Sequence, residues 1–105
     1  FPKASFDLIV GCYVLHHLEH TTPVLDECVR LLSPTGRIIL ADFTMDGFKF
    51  VDKVHALEGN GGHPTPKQSV VLEARDYLRT HGFRTQRLGE TGESFVEAVI
   101  ASRSL

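Results

Sequence analysis

The segment Ser5 to Leu18, SFDLIVGCYVLHHL, sets the tightest limit on what this chain can become. Phe6 to Tyr13 is an apolar run interrupted once, by Asp7, near its start. It is too short and too rich in β-branched residues for a self-sufficient helix, and apolar side chains fall on both of its faces. Such a strand belongs in the middle of a sheet covered on both sides, as in parallel α/β sheets. A polar switch follows, His16-His17-Leu18-Glu19-His20, and then a helical pattern. Ligands of open α/β sheets sit beyond the carboxyl ends of the strands. Chemistry is therefore expected first at Gly11, Cys12 and Tyr13, with the histidine pair behind them.

The rest of the chain supplies the partners this strand needs. Thr22-Pro23 opens a helix, with Thr as the cap and Pro at the first helical position, where its missing N–H costs nothing. Leu25, Cys28, Val29 and Leu32 form one apolar stripe at spacings of three and four. Ser33-Pro34-Thr35-Gly36 is expected to stop the helix and turn the chain. Arg37 to Phe43, RIILADF, reads as a second buried strand, and strand, helix, strand with short loops is a βαβ unit. Phe48 to Leu57 suggests a short helix with Phe48, Val51, Val54 and Leu57 inward. Glu58 to Pro64 reads as a loop. Thr65-Pro66-Lys67-Gln68 reads as a capping box opening a helix that turns Val71, Ala74 and Leu78 inward and ends at Gly82, a left-handed cap. Phe83 to Gly89 and Ser94 to Ser102 complete the chain as an antiparallel hairpin across Glu90-Thr91-Gly92-Glu93.

Composition narrows the class. The 105 residues suit one domain, and 42% hydrophobic with 23% charged residues is a globular composition. A net charge of −2 with dispersed Lys and Arg argues against a nucleic-acid surface or a polybasic membrane patch. No apolar run approaches the ~20 residues of a membrane span. Cys12 and Cys28 read as reduced core thiols of a reducing, cytoplasmic compartment.

Three segments together resemble the later motifs of class I S-adenosylmethionine-dependent methyltransferases. They are Phe6-Asp7-Leu8-Ile9-Val10, then Val14-Leu15-His16-His17-Leu18, then Leu32 through Leu40, in the family's order and spacing. The hairpin finish also matches, because that family ends its parallel sheet with an antiparallel strand inserted between the last two. The resemblance implies an α/β fold: a partial Rossmann-like methyltransferase sheet, two parallel strands plus a C-terminal antiparallel hairpin, flanked by helices. One feature of the family is not matched. It binds its cofactor chiefly through an earlier strand, a Gly-rich turn and an acidic residue. Gly59-Asn60-Gly61-Gly62 follows a helix and lacks the third glycine, so it is not that turn. Residues 1–105 thus read as the C-terminal half of a methyltransferase-like domain, opening at Phe1 without Met as a piece of something longer would. Thr35, where the family commonly has a second glycine, is expected to affect only the turn.

The resemblance implies methyl transfer to a small-molecule acceptor by the parent protein, with Gly11, Cys12, Tyr13 and His17 beside the cofactor. Tyr13 and His17 are the candidate catalytic residues, orienting the acceptor, and His17 alternatively packs as a structural histidine. Asp42 and Phe43, ending the second strand, are candidate substrate contacts, with a turn-capping role as the alternative for Asp42. Phe48 and Phe50 read as core more than pocket. His16, Glu19 and His20 also spell the H-x-x-E-H zinc pattern. That chemistry needs both histidines one turn apart on a helix, whereas the helix here begins only at Thr22-Pro23, so no metal is expected. The isolated chain is expected to bind S-adenosylmethionine weakly or not at all. It is also expected to dimerise, or to exchange elements, through the Phe6–Tyr13 strand, which lacks a neighbour here and becomes an edge. The rival reading is a non-enzymatic oligomerisation or interaction module built on the same fold.

Overall fold

The computed structural model describes residues 1–18, 20–57, 69–88 and 96–103. Strand β1 spans Phe6–Cys12 and is followed by a single 3₁₀ turn, Leu15–His17. Helix α1 is Thr22–Leu31 and leads directly into the long strand β2, Leu32–Phe43. Helices α2, Met45–Leu57, and α3, Val70–Thr80, precede strands β3, Phe83–Leu88, and β4, Val96–Arg103. The four strands form one sheet in the order β1-β2-β4-β3. β1 runs parallel to β2, while β4 is antiparallel to both of its neighbours, β2 and β3. The inserted antiparallel strand foreseen from the sequence is β4.

One face of this sheet carries the core. Register pairs Ile9 with Ile38, Leu40 with Val99 and Ile38 with Ala101, so these side chains share a face. Leu25 of α1 and Val71, Ala74 and Leu78 of α3 cover them, all 2% exposed or less. Ser69 caps α3 by accepting the Leu72 N–H at 3.1 Å, and it also donates to the buried Glu97 of β4. Gly82 ends this helix with φ +83°, a conformation glycine adopts without penalty. Arg103 reaches from β4 to the carbonyls of Val29 at 2.6 Å and Leu32 at 3.3 Å. Those are orphan acceptors at the end of α1, and a cation is favoured there.

Several expectations change. The α1 cap is Thr21, not Thr22, and no side-chain hydrogen bond is made. Ser33-Pro34-Thr35-Gly36 is not a turn but a bulge within β2: Phe6 faces Leu32 and Leu8 faces Arg37, so two residues along β1 match five along β2. Ser33 Oγ donates to Asp7 Oδ1 at 2.7 Å and pins the bulge. Thr35 is exposed on it. A Cβ on Gly36 would lie 2.6 Å from Leu32, so the tight fold-back needs glycine. Leu57 points to solvent at 88% exposure, and Phe50 is exposed whereas Phe48 is buried. Cys12 is an exposed thiol rather than a core one, because β1 lies at the sheet edge; Cys28 is half-buried. The loop at Glu58–Pro64, the box at Thr65–Gln68 and the Glu90–Glu93 turn lie outside the described residues. Among the described residues no helix is long and apolar enough to cross a membrane.

Candidate functional site

The carboxyl ends of the two parallel strands lie side by side, with Cys12 of β1 opposite Ala41 of β2. The next residue on β2 is Asp42, which is fully buried. Just past β1, Tyr13 adopts φ +59° while its N–H still donates to the Ala41 carbonyl at 2.8 Å. A left-handed backbone at a bulky residue is strained and persists only where its surroundings impose it. Here it turns the chain sharply, so that the 3₁₀ turn folds back over the end of β2 and delivers His16 to Asp42.

That delivery produces a buried pair. His16 Nδ1 lies 2.8 and 2.9 Å from the two carboxylate oxygens, and the His16 backbone N–H donates to Oδ2 at 3.2 Å. Phe43 N–H adds a bond to Oδ1 at 2.8 Å, so the carboxylate is well solvated by protein donors. An ionised carboxylate only accepts, so Nδ1 carries the hydrogen and Nε2 is the ring's acceptor nitrogen. The His16 side chain is 12% exposed. Aromatic rings enclose it: Phe48 at 5.4 Å edge-on and Phe43 at 5.9 Å, with Tyr13 against Phe43 at 5.1 Å. Thr44 holds Phe48 in place, since its carbonyl accepts the Phe48 N–H at 2.9 Å and its Oγ1 accepts the Gly47 N–H at 3.1 Å. A carboxylate that fixes an imidazole's tautomer and orientation, in an apolar surround, is the arrangement of a general base.

The residues foreseen as a site are thus partly regrouped. Tyr13, Asp42 and Phe43 come together around His16. His17 closes the 3₁₀ turn, and the orientation expected of its side chain lies outside the described residues. Asp42 is buried and engaged by three donors, the His16 ring and backbone N–H and the Phe43 N–H, the last of these the turn bond weighed as its alternative role. Gly11 is small for packing: a Cβ there would meet Leu40 at 3.2 Å and Val14 at 3.3 Å. His16 and His20 do not share a helical turn, because the 3₁₀ segment ends at His17 and α1 starts at Thr22; Glu19 lies outside the described residues.

Residues 1–40 match the family model described as a methyltransferase domain. The citrinin polyketide synthase CMeT domain superposes on 98% of this chain with a TM-score of 0.72 at 20% identity, this chain covering 29% of it. A SAM-dependent methyltransferase from Thermotoga maritima, described as a possible histamine N-methyltransferase, does so over 99% with a TM-score of 0.71 at 16% identity, and 59% of it is covered. The fold is that of the class I methyltransferases. In this methyltransferase fold the resemblance read from the three motifs is borne out. A highly reducing polyketide synthase of Aspergillus calidoustus is 39% identical over 59 residues, which are 56% of this chain and 2% of that protein. The chain therefore spans a small part of the curated relative, and about three-tenths to three-fifths of the two methyltransferase structures.

Proposed function

We propose that the protein to which this chain belongs transfers a methyl group from S-adenosylmethionine to a small molecule, and that His16 is the base that prepares the acceptor. Residues 1–105 then form the C-terminal half of the catalytic domain. The observation that carries this reading is the His16–Asp42 pair at the carboxyl ends of adjacent parallel strands, walled by Tyr13, Phe43 and Phe48. Many methyl transfers need only proximity and orientation. A buried imidazole held by a carboxylate suits an acceptor that must first lose a proton, above all a carbon beside a carbonyl, and the matched CMeT domain makes such an acceptor the first choice. Its C–H proton passes to Nε2 of His16. The electron pair left on the carbon is then free to bond the incoming methyl group. Asp42 balances the imidazolium that forms and does not itself take the proton. The aromatic rings keep bulk water from the carbanion.

The residues present fit one wall of a cofactor site. Cys12 and Tyr13 are open at the end of β1, while Gly11 is packed and Asp42 is committed to His16. When bound, S-adenosylmethionine supplies an electrophilic methyl group on a sulfonium. The two free thiols suit a reducing, cytoplasmic setting. We further propose that the isolated chain pairs through β1 with a second copy, or exchanges elements with it. Antiparallel pairing centred on Ile9 sets Leu8 against Val10 of the copy and places Asp7 opposite glycine, with no like charges facing. It also closes the side of an apolar groove of about 520 Å³ between β1 and α1, lined by Phe6, Leu8, Ile9, Pro23 and Val24 among others.

The test uses the whole protein and measures methyl transfer to a β-keto thioester. His16→Ala is expected to lower kcat about 10²–10⁴-fold, the range for a positioned base. Asp42→Asn is expected to lower it less, with KM little changed. The isolated chain should show no tight binding of S-adenosylmethionine by titration calorimetry. Full activity of His16→Ala, or low-micromolar one-site binding by the isolated chain, contradicts the reading.

A further inference from the structure

Acidic residues outnumber Lys and Arg in this chain, 13 to 11, so no arginine goes unpaired for want of a carboxylate. Arg30, Arg75 and Arg87 pair with Glu27, Asp76 and Glu97. Arg79 donates to Thr85, and Arg103 to the carbonyls of Val29 and Leu32. Arg37 and Arg84 differ: neither guanidinium has a hydrogen bond or ion pair among the described residues. Register brings these two together. Arg37 of β2 and Arg84 of β3 both pair with Ser102 of β4, so the three side chains form one row on the sheet face opposite α1 and α3. Both arginines are exposed. They border two adjoining hollows of about 280 and 300 Å³, and Ser102 lies in the wall of each. Gln86 and Ile100 also line the first, and Thr35, exposed on the β2 bulge, lines the second. The other end of this face is where Phe48 of α2 packs on Phe43, about 20 Å along β2 from Arg37.

We propose that Arg37, Ser102 and Arg84 form a binding site for a small phosphate monoester, separate from the His16–Asp42 pair at the other end of the strands. The inference rests on the arginine row alone and is independent of the methyl-transfer reading. The backbones of Arg37 and Arg84 stand two strand spacings apart, about 10 Å, with the Ser102 hydroxyl between them. Two long side chains that start on either side of Ser102 can both close on the space above it. A guanidinium fork donates parallel N–H bonds that match the oxygens of carboxylate or phosphate. One fork already occupies both oxygens of a carboxylate, so two forks and a hydroxyl suit an anion with more acceptors. A phosphate monoester has three such oxygens and, near neutral pH, close to two negative charges, which balance the two cations. Ile100, in the same groove, gives the organic part of the ester an apolar seat. A polyanion such as a nucleic acid fits poorly. It needs a longer basic track, and Arg37 and Arg84 are the charged strand residues described on this face.

The probes are inorganic phosphate, phenyl phosphate and acetate, titrated into the whole protein by calorimetry at low ionic strength. Phosphate is expected to saturate one site, and acetate, with two oxygens, to bind it about tenfold more weakly. Phenyl phosphate is expected to bind more tightly than inorganic phosphate, because its ring covers Ile100. Arg37→Gln and Arg84→Gln should each weaken phosphate binding about tenfold, the loss of a charge-assisted hydrogen bond. Ser102→Ala should weaken it less, and Arg75→Gln on α3 should leave it unchanged. Both arginines of the row are exposed, so their variants are expected to fold, which circular dichroism verifies. Phosphate binding that survives Arg37→Gln and Arg84→Gln, acetate as tight as phosphate, phenyl phosphate weaker than phosphate, or no saturable binding would each overturn the proposal.

Discussion

β1 and β2 are written in nearly the same alphabet and live in different surroundings. β1 reads FDLIVGC and the core of β2 reads RIILADF, yet Ile39 is half-buried where its same-face partner Val10 is 55% exposed, and Ile38 is fully buried where its same-face partner Ile9 is only half-buried. Composition does not separate them; neighbours do. β2 has a strand on each side and helices α1 and α3 over one face, whereas β1 has β2 on one side and nothing on the other among the described residues. Tyr13 N–H donates to Ala41, so in β1 the N–H groups of Ile9 and Gly11 also face β2 and those of Leu8, Val10 and Cys12 face away. A strand with this apolar content and a bare row of donors is, among the described residues, an edge open to pairing.

The largest effect that would break this comparison is on stability. Ile38→Ala, at a fully buried site, is expected to cost about 4 kcal/mol in urea unfolding, whereas Val10→Ala should cost less than about 1 kcal/mol. Equal costs would mean that Val10 is covered as fully as Ile38. A smaller effect is expected at the contact between the two strands. Gly11→Ala pushes a methyl into Leu40 and Val14, and we expect a loss of about 1 kcal/mol. No loss there would show that Gly11 is kept for ligand approach rather than packing. The smallest effect is chemical. Burial pushes the Cys28 thiol up, with Glu27 adding to it, so less thiolate is present at a given pH. Maleimide near neutral pH should therefore label the exposed Cys12 before Cys28, with the gap closing as pH rises toward the Cys28 value. Equal rates, read by mass spectrometry, would place both thiols in similar surroundings.

Much of the fold was legible because local pattern and global packing agree. The stripe Val71, Ala74, Leu78 and the glycine after it gave α3 and its end; the two apolar runs gave the parallel pair. The errors fall where tertiary contacts decide. Ser33-Pro34-Thr35-Gly36 has the composition of a turn, but Phe6 pairs with Leu32, and the hydroxyl of Ser33 finds Asp7 across the sheet, so the segment stays in β2 as a bulge. The site was half legible. Strand ends in a βαβ unit are adjacent, which puts Tyr13 and Asp42 together from sequence alone. That His16 reaches Asp42 depends on a single positive φ at Tyr13, and nothing in the residue type announces it. The aromatic wall was missed for a related reason: Phe48 and Phe50 look alike in the sequence, and the cap at Thr44 decides which of them turns inward.

The claim beneath all of this is that β1 is an interior strand at an edge and will take a neighbour. Amide hydrogen exchange of Leu8 and Val10, measured by NMR on the 105-residue chain across a dilution series, tests it most directly. The account predicts strong protection of both amides at high concentration, falling on dilution as the pair separates, while Ile9 and Gly11 stay protected by β2 throughout. Leu8 and Val10 amides that exchange at the rate of open chain at every concentration, in a folded monomer, would contradict it.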